Sequence, residues 1–206
     1  MLNSFIITIP ALIGTIFLSS LSAFALARYK FRGSYLIFMM YVAGTMLPFQ
    51  ILLLPVFLLT NKTGLYDTYW GVIIIHIAFQ LGFCTFVLRN FMRTIPNEIM
   101  DAARIDGSSE FGIYWRIAVP LTVPAIAALA TLEFTWIFND YIWAFILVQR
   151  DALKPVTFGL AGLQGQYSTN WPLMVAAALL AAVPTLIVFF VLQRYFIGGL
   201  TLGSGK

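Results

Sequence analysis

The chain has 206 residues, 61% of them apolar and only 10% charged, with a formal net charge of +4 and a mean hydropathy of +0.91. Soluble domains hold about 45–50% apolar and about 25% charged residues, so this composition excludes both a soluble single domain and a disordered coil and leaves an integral membrane protein. One cysteine, Cys84, and one histidine, His76, provide neither an intrachain disulfide nor a His/Cys zinc set, and +4 is modest for a nucleic-acid binder.

A helix needs roughly 20 mainly apolar residues to cross a bilayer, and five stretches qualify. Phe5–Ala27 carries no charge and ends at Arg28, Lys30 and Arg32; it is too long for a signal-peptide core and its basic flank lies on the wrong side. Ser34–Thr60 is also uncharged, with Pro48, Gln50 and Pro55 inside it. Tyr69–Leu88 follows a short loop containing Asn61, Lys62, Gly64 and Asp67. Pro120–Val148 is apolar but interrupted by Glu133 and Asp140, and Trp171–Leu192 is clean apart from Pro184. No repeat or Pro/Ser linker divides the chain, which reads as a single all-α transmembrane bundle over residues 1–206. Prolines 10, 48, 55, 124 and 184 imply kinks that neighbouring helices re-satisfy, which suits a bundle lining a path.

Arg28, Lys30, Arg32, Arg89, Arg93, Arg104, Arg116, Arg194 and Lys206 fall on one side of five spans, against Lys62, Arg150 and Lys154 on the other. Nine against three makes the first side cytoplasmic and places the carboxyl end inside, in a cell membrane crossed several times. An odd number of spans then puts Met1 outside with no translocation signal ahead of it. The simplest reading is an amino-terminal span missing from this sequence, and the alternative is a natural five-span protein.

The longest cytoplasmic loop, residues 94–118, holds four of the eight carboxylates: Glu98, Asp101, Asp106 and Glu110. Pro96 and Asn97 start a helix, and Glu98 suits the positive end of its dipole. Gly107 is a natural left-handed stop, and Ser108 or Ser109 can cap a second helix running toward Trp115. On the first helix Ile95, Ile99, Ala102 and Ala103 recur at helical spacing, opposite Asn97, Asp101, Arg104 and Ser108. The small apolar face, with two adjacent alanines, fits a knob pressed into a groove. Asp106 sits where the helix dipole disfavours an anion, so a cationic partner surface is expected to compensate it. A helix lying on anionic lipid is the competing reading, and the four carboxylates oppose it.

Asp101-Ala102-Ala103, three residues, Gly107, nine residues, Ile117, one residue, then Val119-Pro120 resembles the EAA loop of binding-protein-dependent ATP-binding cassette importers. Asp101 stands where that pattern has Glu, and Val119 where it has Leu. The resemblance extends to the carbohydrate branch, the permeases of maltose and glycerol-phosphate type, through Ala27–Gly33, Pro48-Phe49-Gln50, Ile95-Pro96, Asn139-Asp140, Gly165-Gln166-Tyr167 and Gln193-Arg194-Tyr195-Phe196. It implies a type I importer permease fold whose members usually have six spans, the first being the one absent here. It further implies that the chain hydrolyses nothing and binds no cofactor, ATP and Mg being held by a partner ATPase. Asp101, Ala102, Ala103, Asp106 and Gly107 would form the coupling knob for an ATPase subunit dimer, with Ile117 and Pro120 setting the angle at which force enters the fourth span. A second homologous permease and an extracytoplasmic solute-binding protein would complete the assembly, in membrane lipid and without nucleic acid.

Glu133 and Asp140, seven residues apart, are expected on one face of the fourth span. A carboxylate at mid-bilayer costs at least about 2.5–3.5 kcal/mol, so this face is expected to line a pathway, with Trp136, Asn139, Tyr141 and Trp143 offering hydrogen-bonding and flat apolar surface suited to a carbohydrate. Asn139 and Asp140 as helix caps, and the aromatics as interfacial anchors, are the alternatives. Gln164, Gln166 and Tyr167 precede the last span on the outer side and are candidates for contact with a binding protein or substrate. His76 and Gln80, at i and i+4, are expected to be structural, and Cys84 to pack as a small apolar residue. The expected function is half of an ATP-driven sugar path. Glycerol phosphate or another small solute is the rival within the same architecture, and an autonomous channel, carrier or membrane-embedded enzyme the rival outside it.

Overall fold

The computed structural model describes residues 1–163 and 170–202, with side chains to residue 193. Among the described residues there are ten α-helices and no strand: α1 (Leu2–Arg28), α2 (Ser34–Met46), α3 (Leu53–Thr63), α4 (Tyr69–Met92), α5 (Asn97–Ile105), α6 (Glu110–Ile113), α7 (Val119–Phe138), α8 (Ile142–Leu147), α9 (Val156–Gly162) and α10 (Trp171–Leu202). Four helices are long and apolar enough to cross a membrane, and five if one bent pair counts as a single span.

That bent pair is the stretch Ser34–Thr60, which is not one helix. α2 ends at Met46, Leu47 turns extended at φ −73° and ψ 126°, and a 3₁₀ turn over Phe49–Leu52 leads into α3. Pro48 is the physical cause. A proline lacks the N–H that would continue the ladder, and it drives the preceding residue out of the helical region. Pro10, Pro124 and Pro184 lie inside helices that continue past them. α3 closes at Gly64, whose φ of 73° supplies the left-handed turn.

The chain folds into two compact units, one of residues 1–13, 48–78 and 131–191 and the other of 14–47, 79–130 and 192–206. The core of the first gathers Ile7, Val72, Ile73, Phe134, Ile137, Phe138 and Leu147. Phe5 meets the Phe138 ring edge-on with centroids 5.4 Å apart. Asn3 fastens a loop at one end of this unit, its Nδ2 donating to the carbonyls of Ala152 (2.8 Å) and Lys154 (3.0 Å) while its Oδ1 accepts from the Tyr69 hydroxyl (2.8 Å). A second clasp forms nearby. The Asp67 carboxylate accepts from the backbone N–H groups of Gln149 (2.8 Å) and Arg150 (3.0 Å) and from Arg150 Nε (2.6 Å). Asp67 holds φ 56°, a left-handed conformation that Asp tolerates better than most residues.

The core of the second unit joins Ala23, Phe24, Cys84, Leu88, Met92, Ile95, Met100, Ala103, Ile113, Tyr114, Ala118, Ala125 and Leu129. Cys84 packs there as a buried apolar residue. A buried hydrogen bond of 2.7 Å links the hydroxyls of Ser20 and Tyr114. α2 and α4 approach backbone to backbone at Gly82, where an added Cβ would meet the Tyr41 carbonyl oxygen at 2.7 Å. Close approach through a small residue is how apolar helices gain contact where lipid removes the hydrophobic incentive.

Candidate functional site

Residues 94–118 form a helix, a turn and a helix within the second unit. Pro96 caps α5 at its start, and Glu98 lies in the first turn. At the other end Asp106 is the C-cap, and Gly107 takes φ 82°. Ser108 N donates to Ala103 O (2.9 Å) and Gly107 N to Arg104 O (3.0 Å), the paired bonds of a Schellman turn. Ser109 then caps α6, accepting from Gly112 N at 3.2 Å. The turn is local chemistry: a glycine that reaches positive φ without strain, followed by a short hydroxyl acceptor.

The faces of α5 differ from the expected division. Met100 and Ala103 are buried in the unit's core beside Ile95, whereas Ile99 and Ala102 are exposed and Ile105 is 86% exposed. Ala103 therefore packs at home, because adjacent residues on a helix point about 100° apart and only one of two neighbouring alanines can face the same surface. The open surface of the loop carries Asp101, Ala102, Ile105, Asp106 and Gly107. Phe111 and Trp115, one helical turn apart, are also exposed, and both border a shallow concavity with Asp106, Gly107, Ser109 and Arg116. Their i, i+4 spacing was the available signal, and Ile105 lay outside the alanine-centred apolar stripe.

Arg104 organises the polar side of the loop. Its Nη1 donates to Asp101 Oδ1 (2.7 Å), its Nε to Glu110 Oε1 (2.8 Å) and its Nη2 to Glu110 Oε2 (3.2 Å). Asp106 is exposed and has no ion-pair partner among the described residues. Beyond α6 the chain makes a π turn over Tyr114–Ala118, closed by Val119 N to Tyr114 O, and runs directly into α7. Ile117 lies half-buried against the core in this turn, and Pro120 is exposed in the first turn of α7, where a missing N–H does no harm.

The fourth apolar stretch also breaks. α7 ends at Phe138, where the ladder tightens: Asn139 N still donates to Thr135 O, but Asp140 N donates to Ile137 O three residues back, both at 3.2 Å. Glu133 and Asp140 therefore do not share a face of one helix, and the seven-residue spacing loses its meaning. Glu133 is wholly buried. Asp140 sits in the break and caps α8, accepting from Ala144 N (3.2 Å) and Trp143 N (3.5 Å), while its carbonyl accepts from Thr157 Oγ1 (2.5 Å). His76 Nε2 lies 3.7 Å from Asp140 Oδ2. Trp143 is buried with its ring 6.0 Å from that of Phe49. Trp136 and Asn139, three residues apart, are exposed, and Asn139 Nδ2 bonds back to Thr135 O at 2.8 Å. The expected set thus divides into an interior group, Glu133 and Trp143, a capping residue, Asp140, and an exposed pair, Trp136 and Asn139. Gln164, Gln166 and Tyr167 lie outside the described residues. Among the described residues no group of three His, Cys, Asp or Glu side chains is placed to hold a metal ion.

Among the described residues the chain is all-α, with four helices long and apolar enough to cross a membrane, one bent pair and a capped helix–turn–helix ahead of α7. Residues 15–201 match the family described as the binding-protein-dependent transport system inner membrane component, and the chain belongs to that family. It is 37% identical over 204 residues to the arabinooligosaccharides transport system permease AraQ of Halalkalibacterium halodurans, covering 99% of this chain and 72% of that one. It is 36% identical over 206 residues to the osmoprotective compounds uptake permease GgtD of Synechocystis, covering 100% of this chain and 69% of that one. The alpha-glucoside transport system permease AglG of Rhizobium meliloti is 36% identical over 211 residues, covering 100% of this chain and 56% of that one. The fold is similar to a chain in the crystal structure of a bacterial ABC transporter involved in the import of the acidic polysaccharide alginate, with a TM-score of 0.83 at 23% identity over 94% of this chain and 73% of that one. The chain is therefore a multi-pass permease component of a binding-protein-dependent transport system.

Proposed function

We propose that the chain forms half of the translocation path of an ATP-binding cassette importer for a sugar or oligosaccharide. The observation that carries this reading is the family match over residues 15–201, joined by relatives whose names include arabinooligosaccharide and alpha-glucoside transport permeases. A partner ATPase dimer holds ATP and Mg and performs hydrolysis; this chain contributes geometry. Its ATPase docks on the open face of α5, where Asp101, Ala102, Ile105 and Asp106 surround the Gly107 turn. The two unpaired features of that face, an exposed isoleucine and an anionic C-cap, suit a groove with an apolar floor and a basic rim. Ile117 and Pro120, at the π turn and the start of α7, pass movement of α5 into that helix. The carboxyl end is cytoplasmic, a second homologous permease completes the path, and a solute-binding protein delivers cargo on the opposite side. Trp136 and Asn139 are the path residues best placed to touch it, an aromatic face beside an amide as sugar binding requires.

The similarity to an osmoprotective compounds uptake permease favours a second reading, the same machine carrying a small polar solute. Both readings are tested by mild-detergent purification of the tagged chain from its native membranes, with bound proteins identified by mass spectrometry. The purified assembly is then reconstituted and offered labelled arabino-oligosaccharide, α-glucoside and glycerol 3-phosphate. Recovery of an ATP-binding cassette subunit and ATP-dependent uptake of either saccharide is the expected result. Uptake of glycerol phosphate alone moves the substrate to the second reading, and transport by the chain with no ATPase bound overturns both.

A further inference from the structure

Two consecutive residues where α1 ends tie it to both ends of α5, Arg28 directly and Tyr29 through Glu110 of α6. Arg28, the last residue of α1, donates through Nη2 to the carbonyls of Met92 (2.5 Å) and Ile95 (3.0 Å) and through Nη1 to Asn97 Oδ1 (2.7 Å). It therefore binds the carbonyl end of α4 and the first residue of α5 together, satisfying acceptors that a helix terminus leaves open. Tyr29 donates its hydroxyl to Glu110, the first residue of α6, and Glu110 is held by two bonds from Arg104 in the last turn of α5. Burial first, and the Glu110 carboxylate second, push the Tyr29 phenol above its ordinary range, so it remains a donor throughout the physiological range. The chain of bonds ends at Asp101, on the open face of α5.

We infer that Arg28 and Tyr29 are positioning residues that make α5 and the end of α1 one lever, Tyr29 acting through Glu110 and Arg104. Met100 and Ala103 anchor α5 by apolar contact, which resists removal of the helix but fixes its direction weakly. Hydrogen bonds at both ends fix direction, because charge-assisted bonds combine energy with angular demand. Movement imposed on α5 then reaches α1 as well as α7. The inference rests on the reading that α5 receives an ATPase subunit.

The test uses the assembly purified from native membranes and reconstituted with its binding protein, comparing Tyr29→Phe, Glu110→Gln, Glu110→Asp and the double variant Tyr29→Phe/Glu110→Gln. The readouts are the amount of ATPase subunit retained and the stimulation of ATP hydrolysis by the binding protein. With the ATPase retained, stimulation should fall about tenfold in Tyr29→Phe and in Glu110→Gln, as loss of one hydrogen bond to a charged group implies. The double variant should be no worse than the poorer single one, and Glu110→Asp should recover part of the loss. Full stimulation in both single variants, additive losses in the double, or release of the ATPase subunit in both singles each overturns the inference. A wild-type chain that retains no ATPase fails the functional reading itself, and that outcome differs from a coupled wild type whose variants are indifferent.

Discussion

At Gly107 nothing lies within 4 Å of where a Cβ would stand, yet φ is 82°, so a substitution there is opposed by torsion alone. A left-handed conformation costs an ordinary L-residue roughly 1–2 kcal/mol, and more with a branched Cβ. Gly107→Val should insert and accumulate normally while ATP hydrolysis and uptake become uncoupled, and wild-type uptake in proteoliposomes would count against a coupling turn here. Asp140 separates two roles that look alike on paper. If its work is to cap α8, Asp140→Asn keeps an acceptor and should hold thermal stability near wild type, while Asp140→Ala should lose about 1 kcal/mol, read as a lower melting temperature in detergent. Equal losses from both variants would instead assign the work to the charge. Asp67 offers a pH test. The Arg150 backbone N–H, followed by that of Gln149 and the Arg150 guanidinium, holds the Asp67 carboxyl below the usual carboxylate range against an opposing effect of burial. A carboxyl lowered on folding contributes stability that is present above its unfolded value near about 4 and disappears as the pH falls through the folded one. Asp67→Asn should therefore melt below wild type at pH 7, and the gap should close on acidification below about pH 4.

Among the elements, the two glycines of α4 mark where another backbone comes close. A Cβ at Gly71 would collide with the Leu65 carbonyl oxygen, and one at Gly82 would meet the Tyr41 carbonyl oxygen at 2.7 Å. Neither obstacle can rotate away as a side-chain tip could. Gly82→Ala should force α2 off α4 at roughly 1–3 kcal/mol, seen as faster proteolysis of the α2–α3 segment; unchanged proteolysis would mean that the pair has room to spare. Composition sufficed to place the long helices, because an uncharged run of more than 20 residues has little alternative to spanning a membrane. Hydropathy is blind to what interrupts such a run. Pro48 was visible in the sequence, but several other prolines sit inside helices that carry on, so a proline alone does not announce a break. The break after Phe138 has no proline at all. It arises where Asn139 and Asp140 take over backbone partners, and only the caps of α8 reveal it. The helix–turn–helix before α7 was legible in detail because Gly107 and Ser109 act on their immediate neighbours. Which of Ala102 and Ala103 faces outward was not, since that depends on the core that α5 meets.

For the molecule as a whole, the distribution of twelve basic residues argues one orientation, and a green fluorescent protein fused after Lys206 should fluoresce, as it does only when folded in the cytoplasm. A dark fusion beside an active periplasmic reporter would reverse the proposed sidedness and move α5 away from any ATPase. Candidate path residues were the least legible part, because burial separates Glu133 and Trp143 from Trp136 and Asn139 while composition treats them alike. The π turn at Tyr114–Ala118 carries a consequence for how such a chain tolerates change in length. It stores one residue more than the α-helical repeat needs, so the helix beyond it keeps the phase it would have without that residue. Removing a single residue there, such as the exposed Arg116, would let the turn close into plain α form and leave the later side chains of α7 near their present phase. The same deletion inside α7 beyond the turn, at Thr122, would rotate the side chains after it by about 100° and swing Ala125 and Leu129 out of one core and Phe134 and Ile137 out of the other. A one-codon deletion in the π turn should thus be far milder than one a few residues later, where no surplus residue takes it up.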